Sequence, residues 1–191
     1  MIGRLQKVAS ALRISVARAS GIEIGGGCRM ESEVTLRRSW SGNSRGEIQI
    51  GENCELENGV LFQTYGGNIR LGSRVFVGPY TVIYGHGGVE IGDHTLIAMH
   101  CRIVSSNHAI PPMGTTIRSQ ADQLRPTKIG RDVWLGAGVT VLGGIIIGDG
   151  AIVGAGAVVT KNIPAGSITL GTPATVKGWR EDAPQKNIDV G

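Results

Sequence analysis

The chain has 191 residues, of which 41% are hydrophobic but only 4% aromatic, and 31 are glycine. That balance suits one domain with a core of stacked Ile, Val and Leu, and argues against an interior built on bulky rings. No run of about eighteen apolar residues is present to span a membrane, and a net charge of +4 gathered at one end leaves no extended basic surface for nucleic acid.

Residues 1–20 form the first segment. Arg4, Lys7, Arg13 and Arg18 stand there without an acidic residue and account for the whole net charge, since the remaining basic and acidic residues cancel. Ile2, Leu5, Val8, Ala9 and Leu12 recur at helical spacing. A basic amphipathic helix of this kind could lie peripherally on an anionic membrane, or it could cap the end of a repeat array. Its scattered charges argue against a cleavable secretory signal.

Residues 21–173 keep a six-residue beat: an aliphatic residue, a small or acidic one, two free positions, then a small or β-branched residue. It is plain in IGENCE, IGDHTL, IGRDVW, LGAGVT, IGDGAI and VGAGAV. The hexads come in threes, beginning at Ile24, Ile50, Leu71, Ile91, Ile129 and Ile147. Eighteen residues thus close one turn of a three-sided coil, and six turns can be placed. The pattern predicts an all-β stack of short parallel strands in which each turn buries its aliphatic row on its neighbours. The fourth hexad position must turn sharply with φ above zero, and it holds Gly27, Gly59, Gly138, Gly144, Gly150 and Gly156, or Asn53 and Asp132. Surplus residues are corner insertions, and the largest surplus opens a loop over 109–127.

Cys28, Cys54 and Cys101 fall at the fifth, inward position and are predicted to be small core residues. Their odd number and their spacing fit no zinc motif, so no metal is expected, and a reducing, cytoplasmic setting is indicated. His86, His94 and His100 fall at the fourth position and are predicted to be corner residues. His108 differs: it is the last residue of IVSSNH, where the chain leaves the coil. Loops held by a rigid scaffold are where catalytic groups concentrate. The loop itself, with Pro111, Pro112, Gly114 and Pro126, predicts neither strand nor long helix and reads as a functional flap. Arg118 and Gln120 within it, and Tyr80 and Tyr84 on the earlier turns, are candidate acceptor contacts. Residues 174–191 lose the beat and are predicted to form a short helix or tail.

The ordered set SSNH, loop, IGRDVWLGAG, IIIGDGAIVGAGAVVTKNIP and GTPA resembles the hexapeptide-repeat acyltransferases, and among them the sugar O-acetyltransferases of galactoside, maltose and exopolysaccharide type. The resemblance implies a left-handed parallel β-helix, acetyl-CoA as co-substrate without a metal, and a homotrimer with sites in the grooves between coils. It matches His108 to the catalytic base and Trp134 to the wall of the acceptor and thioester site. Ala137 and Ala155 match positions whose backbone contacts the pantetheine arm, and Thr160 and Lys161 match residues near the nucleotide end. Two departures stand out: Gly143–Gly144 replaces the usual Pro-Gly, and Tyr80 and Tyr84 match no specific member.

The chemistry agrees with that resemblance. Moving an acetyl group from a thioester to a hydroxyl needs a base for the hydroxyl proton, and imidazole suits neutral pH. It also needs donors at the developing oxyanion, which backbone N–H groups at corners such as Gly136 could supply. The expected activity is therefore acetyl transfer to a sugar or oligosaccharide hydroxyl in polysaccharide biosynthesis, by direct attack with His108 as base. N-acetylation of an amino-sugar nucleotide, serine or antibiotic acetylation, and a non-catalytic β-helix scaffold remain open. A scaffold, however, has no reason to keep His108, Trp134 and Thr160–Lys161 together. A carbonic anhydrase would need three convergent histidines from two subunits, against the corner positions of three of the four here.

Overall fold

In the computed structural model, which describes residues 2–183, a helix, α1 (Ile2–Ala19), leads into a coil of short strands. Each turn lays one strand on each of three parallel sheets. The first face stacks Glu23–Ile24, Glu47–Ile50, Asn68–Leu71, Val89–Ile91, Thr127–Ile129 and Ile146–Ile147 in chain order. The second face runs from Arg29–Met30 through Leu96–Ile97 and Trp134–Leu135 to Ile152–Val153. The third runs from Thr35–Arg37 through Val82–Tyr84 and Arg102–Val104 to Val158–Val159. The six turns lie where the beat predicts them.

Register explains why the rows are aliphatic. Ile24, Ile50, Leu71, Ile91, Ile129 and Ile147 form one unbroken column of paired residues, so each side chain rests on the one from the turn before. Equivalent columns carry Val77, Ile97, Leu135 and Val153 on the second face, and Phe62, Ile83, Ile103 and Val141 on the third. Apart from Ile24 in the first turn, which is partly buried, these inward residues are almost wholly buried, and no single turn could bury its own row. At the corners, all of the predicted glycines, with Asn53 and Asp132, do adopt positive φ.

The fifth position has a second task. Thr81 Oγ1 donates to the Ala98 carbonyl at 3.0 Å and Thr95 Oγ1 to Gly130 at 2.8 Å, tying each turn to the corner of the next. Cys54 and Cys101 copy this with weaker thiol donors, to Gly72 at 3.1 Å and Gly136 at 3.2 Å. Burial pushes the Cys54 thiol up to about 11 and raises Cys101 as well, so both stay protonated and unreactive at neutral pH.

The ends depart from expectation in instructive ways. α1 caps the coil, but with Ser10, Ile14 and Ala17 rather than with the Leu5–Val8–Leu12 side that the periodicity picks out. Ile14 joins Ile22 and Met30 in the core, Ser10 Oγ accepts from the Met30 N–H at 2.8 Å, and Arg18 donates to the carbonyls of Ile24 and Gly25. The open edges of Glu23–Ile24 and Arg29–Met30 are thereby covered. At the other end the predicted helix or tail is a strand, Thr175–Trp179, folded antiparallel onto Ser167–Leu170, which itself extends the second face past the sixth turn. An antiparallel strand cannot seed another parallel turn, so the stack stops. The rest of the predicted tail, 184–191, lies outside the described residues.

Candidate active site at the root of the loop

The loop is more ordered at its base than its prolines suggest. Ser106–His108 and Asp122–Leu124 form an antiparallel ribbon with His108 opposite Asp122, and only the tip is irregular, with one 3-10 turn at Ile117–Ser119. Backbone groups leaving a parallel ladder still require partners, and the two limbs supply them to each other. Ser105 anchors the ribbon: its hydroxyl donates to the Tyr84 carbonyl at 2.8 Å and accepts from the Gly87 N–H at 3.0 Å, while its carbonyl accepts from the Arg125 N–H at 2.8 Å.

This ribbon sets His108 Nδ1 2.6 Å from Asp122 Oδ1. With the Nδ1 proton directed at the carboxylate, the Nε2 lone pair is left free to take a proton. The imidazole side chain is 75% exposed and the carboxylate 33%, so the base faces an open cavity and its partner is the less exposed of the two. That cavity, of about 480 Å³, is lined by His108, Ile117, Arg118, Gln120 and Asp122. Arg118 and Gln120 are thus brought to His108, as the loop position suggests.

Asp122 is the residue that sequence reasoning missed. One signal was available, since it is the single acidic residue between 109 and 127. His86 must also be reassigned. It does not take the positive-φ corner conformation, which at that bend belongs to Gly88; His94 and His100 do take it. His86 instead turns its Nδ1 to 3.4 Å from Asp122 Oδ2, so one carboxylate faces two imidazoles. The hexad IYGHGG is followed by two surplus residues, and this insertion shifts the bend. Tyr84 is close by: its ring stands edge-on to Tyr65 at 5.2 Å, and Tyr65 lies 6.0 Å from His86. Burial raises the Tyr65 hydroxyl pKa, and the neighbouring Tyr84 adds to the shift.

The other predicted residues lie elsewhere on the chain. Tyr80 is separated from the His108 cavity: it occupies the corner between the second and third faces, stacked on His100 at 5.5 Å. Ala137 and Ala155 follow along that same edge, and among the described residues neither of their N–H groups donates a hydrogen bond. Gly136 must be withdrawn as an oxyanion donor, because its N–H is already committed to the Val153 carbonyl at 2.7 Å. Trp134 points outward from the second face, half-exposed, in register with Leu96 and Ile152. Thr160 and Lys161 are exposed at the corner between the third and first faces, two turns beyond the loop. One chain therefore carries two sets of residues on opposite edges of the third face. Among the described residues no cluster of His, Cys, Asp and Glu is arranged to hold a metal ion.

Comparison with known proteins agrees with this architecture. The bacterial transferase hexapeptide (six repeats) family matches residues 126–161. A galactoside O-acetyltransferase of Lactococcus lactis is 31% identical over 144 residues, covering 75% of this chain and 68% of that protein. A probable acetyltransferase of Mycobacterium tuberculosis is 33% identical over 145 residues, covering 73% of this chain; the chain spans about half the length of that relative, 48%. Among solved structures, a galactoside acetyltransferase in complex with coenzyme A superposes with a TM-score of 0.59 at 27% identity, covering 78% of this chain and 65% of that one. The chain belongs to the hexapeptide-repeat transferases, and its coil is their left-handed parallel β-helix. Within that family its named relatives are acetyltransferases, and one superposed structure holds coenzyme A.

Proposed function

We propose that this protein is an acetyltransferase that moves the acetyl group of acetyl-CoA to a hydroxyl of a sugar or oligosaccharide, in polysaccharide biosynthesis, with His108 as general base. The observation that carries this is the contact of 2.6 Å between His108 Nδ1 and Asp122 Oδ1 at the mouth of an open cavity. His108 Nε2 takes the hydroxyl proton as the oxygen attacks the thioester carbonyl. The tetrahedral intermediate then expels the coenzyme A thiolate, which receives that proton from the imidazolium. No acyl-enzyme is needed, and the protonated, buried Cys54 and Cys101 offer no nucleophile. The Asp122 carboxylate holds the imidazole's orientation and stabilises its positive charge during the transfer.

A homotrimer completes the site. Three coils side by side would set the His108 edge of one subunit against the Ala137–Ala155 edge of the next, where free amides suit the carbonyls of a pantetheine arm. Trp134, with Leu96 and Ile152, would be covered there, and Lys161 would offer a charge to a phosphate. The test is an acceptor screen with acetyl-CoA that follows free thiol across sugars, nucleotide sugars, serine and chloramphenicol. Turnover with sugar hydroxyls that His108→Ala abolishes is the expected result. Turnover restricted to amines or serine, or independent of His108, would overturn the assignment.

A further inference from the structure

α1 carries two faces, and only one is used by the fold. Ser10, Ile14 and Ala17 meet the coil, whereas Leu5, Val8, Leu12 and Val16 are 63–66% exposed. At 3.6 residues per turn the exposed four lie within about a quarter of the circumference, roughly opposite the capping residues. Because α1 lies across the strand edges at the start of the coil, this stripe points away from the body of the protein. Four aliphatic side chains in line are more than scattered surface residues, and capping does not account for them.

We propose that this face of α1 docks the enzyme onto an anionic lipid surface. Charge complementarity favours that occupant: residues 1–20 contain Arg4, Lys7, Arg13 and Arg18 and no acidic residue. Arg13 and Arg18 reach back to the carbonyls of Met30, Ile24 and Gly25, so their charges flank the helix on the coil side, with the apolar stripe outermost. That is the layout of a helix lying in an interface, its stripe among acyl chains and its cations at the headgroups. A protein partner fits less well. A stripe from Leu5 to Val16 is about 17 Å long, and its four side chains fall well short of the roughly 20–30 residues per side of stable interfaces. In a cyclic trimer the three stripes would face one side, and weak single contacts would add on a flat surface.

The experiment is cosedimentation of the full chain with vesicles of phosphatidylcholine alone and of an equimolar phosphatidylcholine–phosphatidylglycerol mixture. Each basic residue near an anionic surface contributes about fivefold, so binding to the mixed vesicles should be at least about tenfold tighter and should weaken with salt. Leu5→Ser combined with Leu12→Ser should cut that binding about tenfold or more without lowering the thermal midpoint, as both side chains are exposed in the fold. Lys7→Glu should reduce binding to the mixed vesicles and spare any binding to neutral ones. Equal binding to both vesicle types, or unchanged binding by the double serine variant, would overturn the proposal. So would self-association of the wild type, without lipid, into larger assemblies than the double variant forms, because the stripe would then belong to a second copy. None of these measurements reads acetyl transfer, so they stand apart from the proposed reaction.

Discussion

Asp122→Asn tests the His108–Asp122 pair most directly. The contact is 2.6 Å, and the two charges, once His108 is protonated, would be centred about 4 Å apart, worth between about 1 and 4 kcal/mol as the effective dielectric falls from 80 to 20. Exposure of 75% for His108 and 33% for Asp122 places the pair near the lower end, about 1–2 kcal/mol. Asparagine would also offer an amide donor to Nδ1, favouring the tautomer whose Nε2 carries the proton and cannot act as base. Together these should lower kcat about 10- to 100-fold. The KM for acetyl-CoA should change by less than about twofold, because in the proposed site Asp122 acts by holding the imidazole and has no part in binding the coenzyme. The assay is thiol release with the best acceptor from the screen, run as a double-mutant cycle. Asp122→Asn in a His108→Ala background should cost almost nothing more, since no imidazolium remains to be held. If Asp122→Asn turned over within twofold of wild type, or cost the same factor without His108, the carboxylate would not act through the histidine.

Three further outcomes follow from the geometry. His86→Asn should lower kcat about fivefold by removing a partner from Asp122, whereas His94→Asn and His100→Asn, at corners with φ of +62° and +59°, should leave turnover within about twofold; the same thiol assay separates them. Trp134→Asp should convert the proposed trimer to monomers in sedimentation and abolish activity with it, because the change puts a charge in the outward row shared with Leu96 and Ile152. Stability should also fall in alkali. Burial lifts the Cys54 thiol from 9.0 to about 11, so the unfolded chain releases this proton first and the native state loses about 2 kcal/mol as pH rises from 9 to 11. Urea midpoints across that range should decline in the wild type and decline less in Cys54→Ala.

The six-residue beat determined the coil, because each stacked turn places the same demands on the same positions. An aliphatic residue such as Ile91 must rest on Leu71 and Ile129, and the fourth residue must bend, so composition and period suffice to fix the number of turns and most corners. His108 was legible for the same reason, as a residue placed where the beat breaks. Asp122 was not, because its partnership with His108 depends on the antiparallel register of a ribbon that the loop's prolines concealed. His86 was misplaced by phase, since two surplus residues moved the bend to Gly88 and freed its side chain to reach Asp122. Gly136 met a similar limit: the beat marked it as a corner glycine, but only the ladder shows its N–H already given to Val153. Helical spacing likewise found the apolar stripe of α1, yet which face caps the coil was decided by the fit of Ser10 and Ile14 against Met30 and Ile22. Periodic contacts recur in every turn and so leave a mark in the sequence, whereas each contact that assembles the site occurs once and exists only in the folded chain.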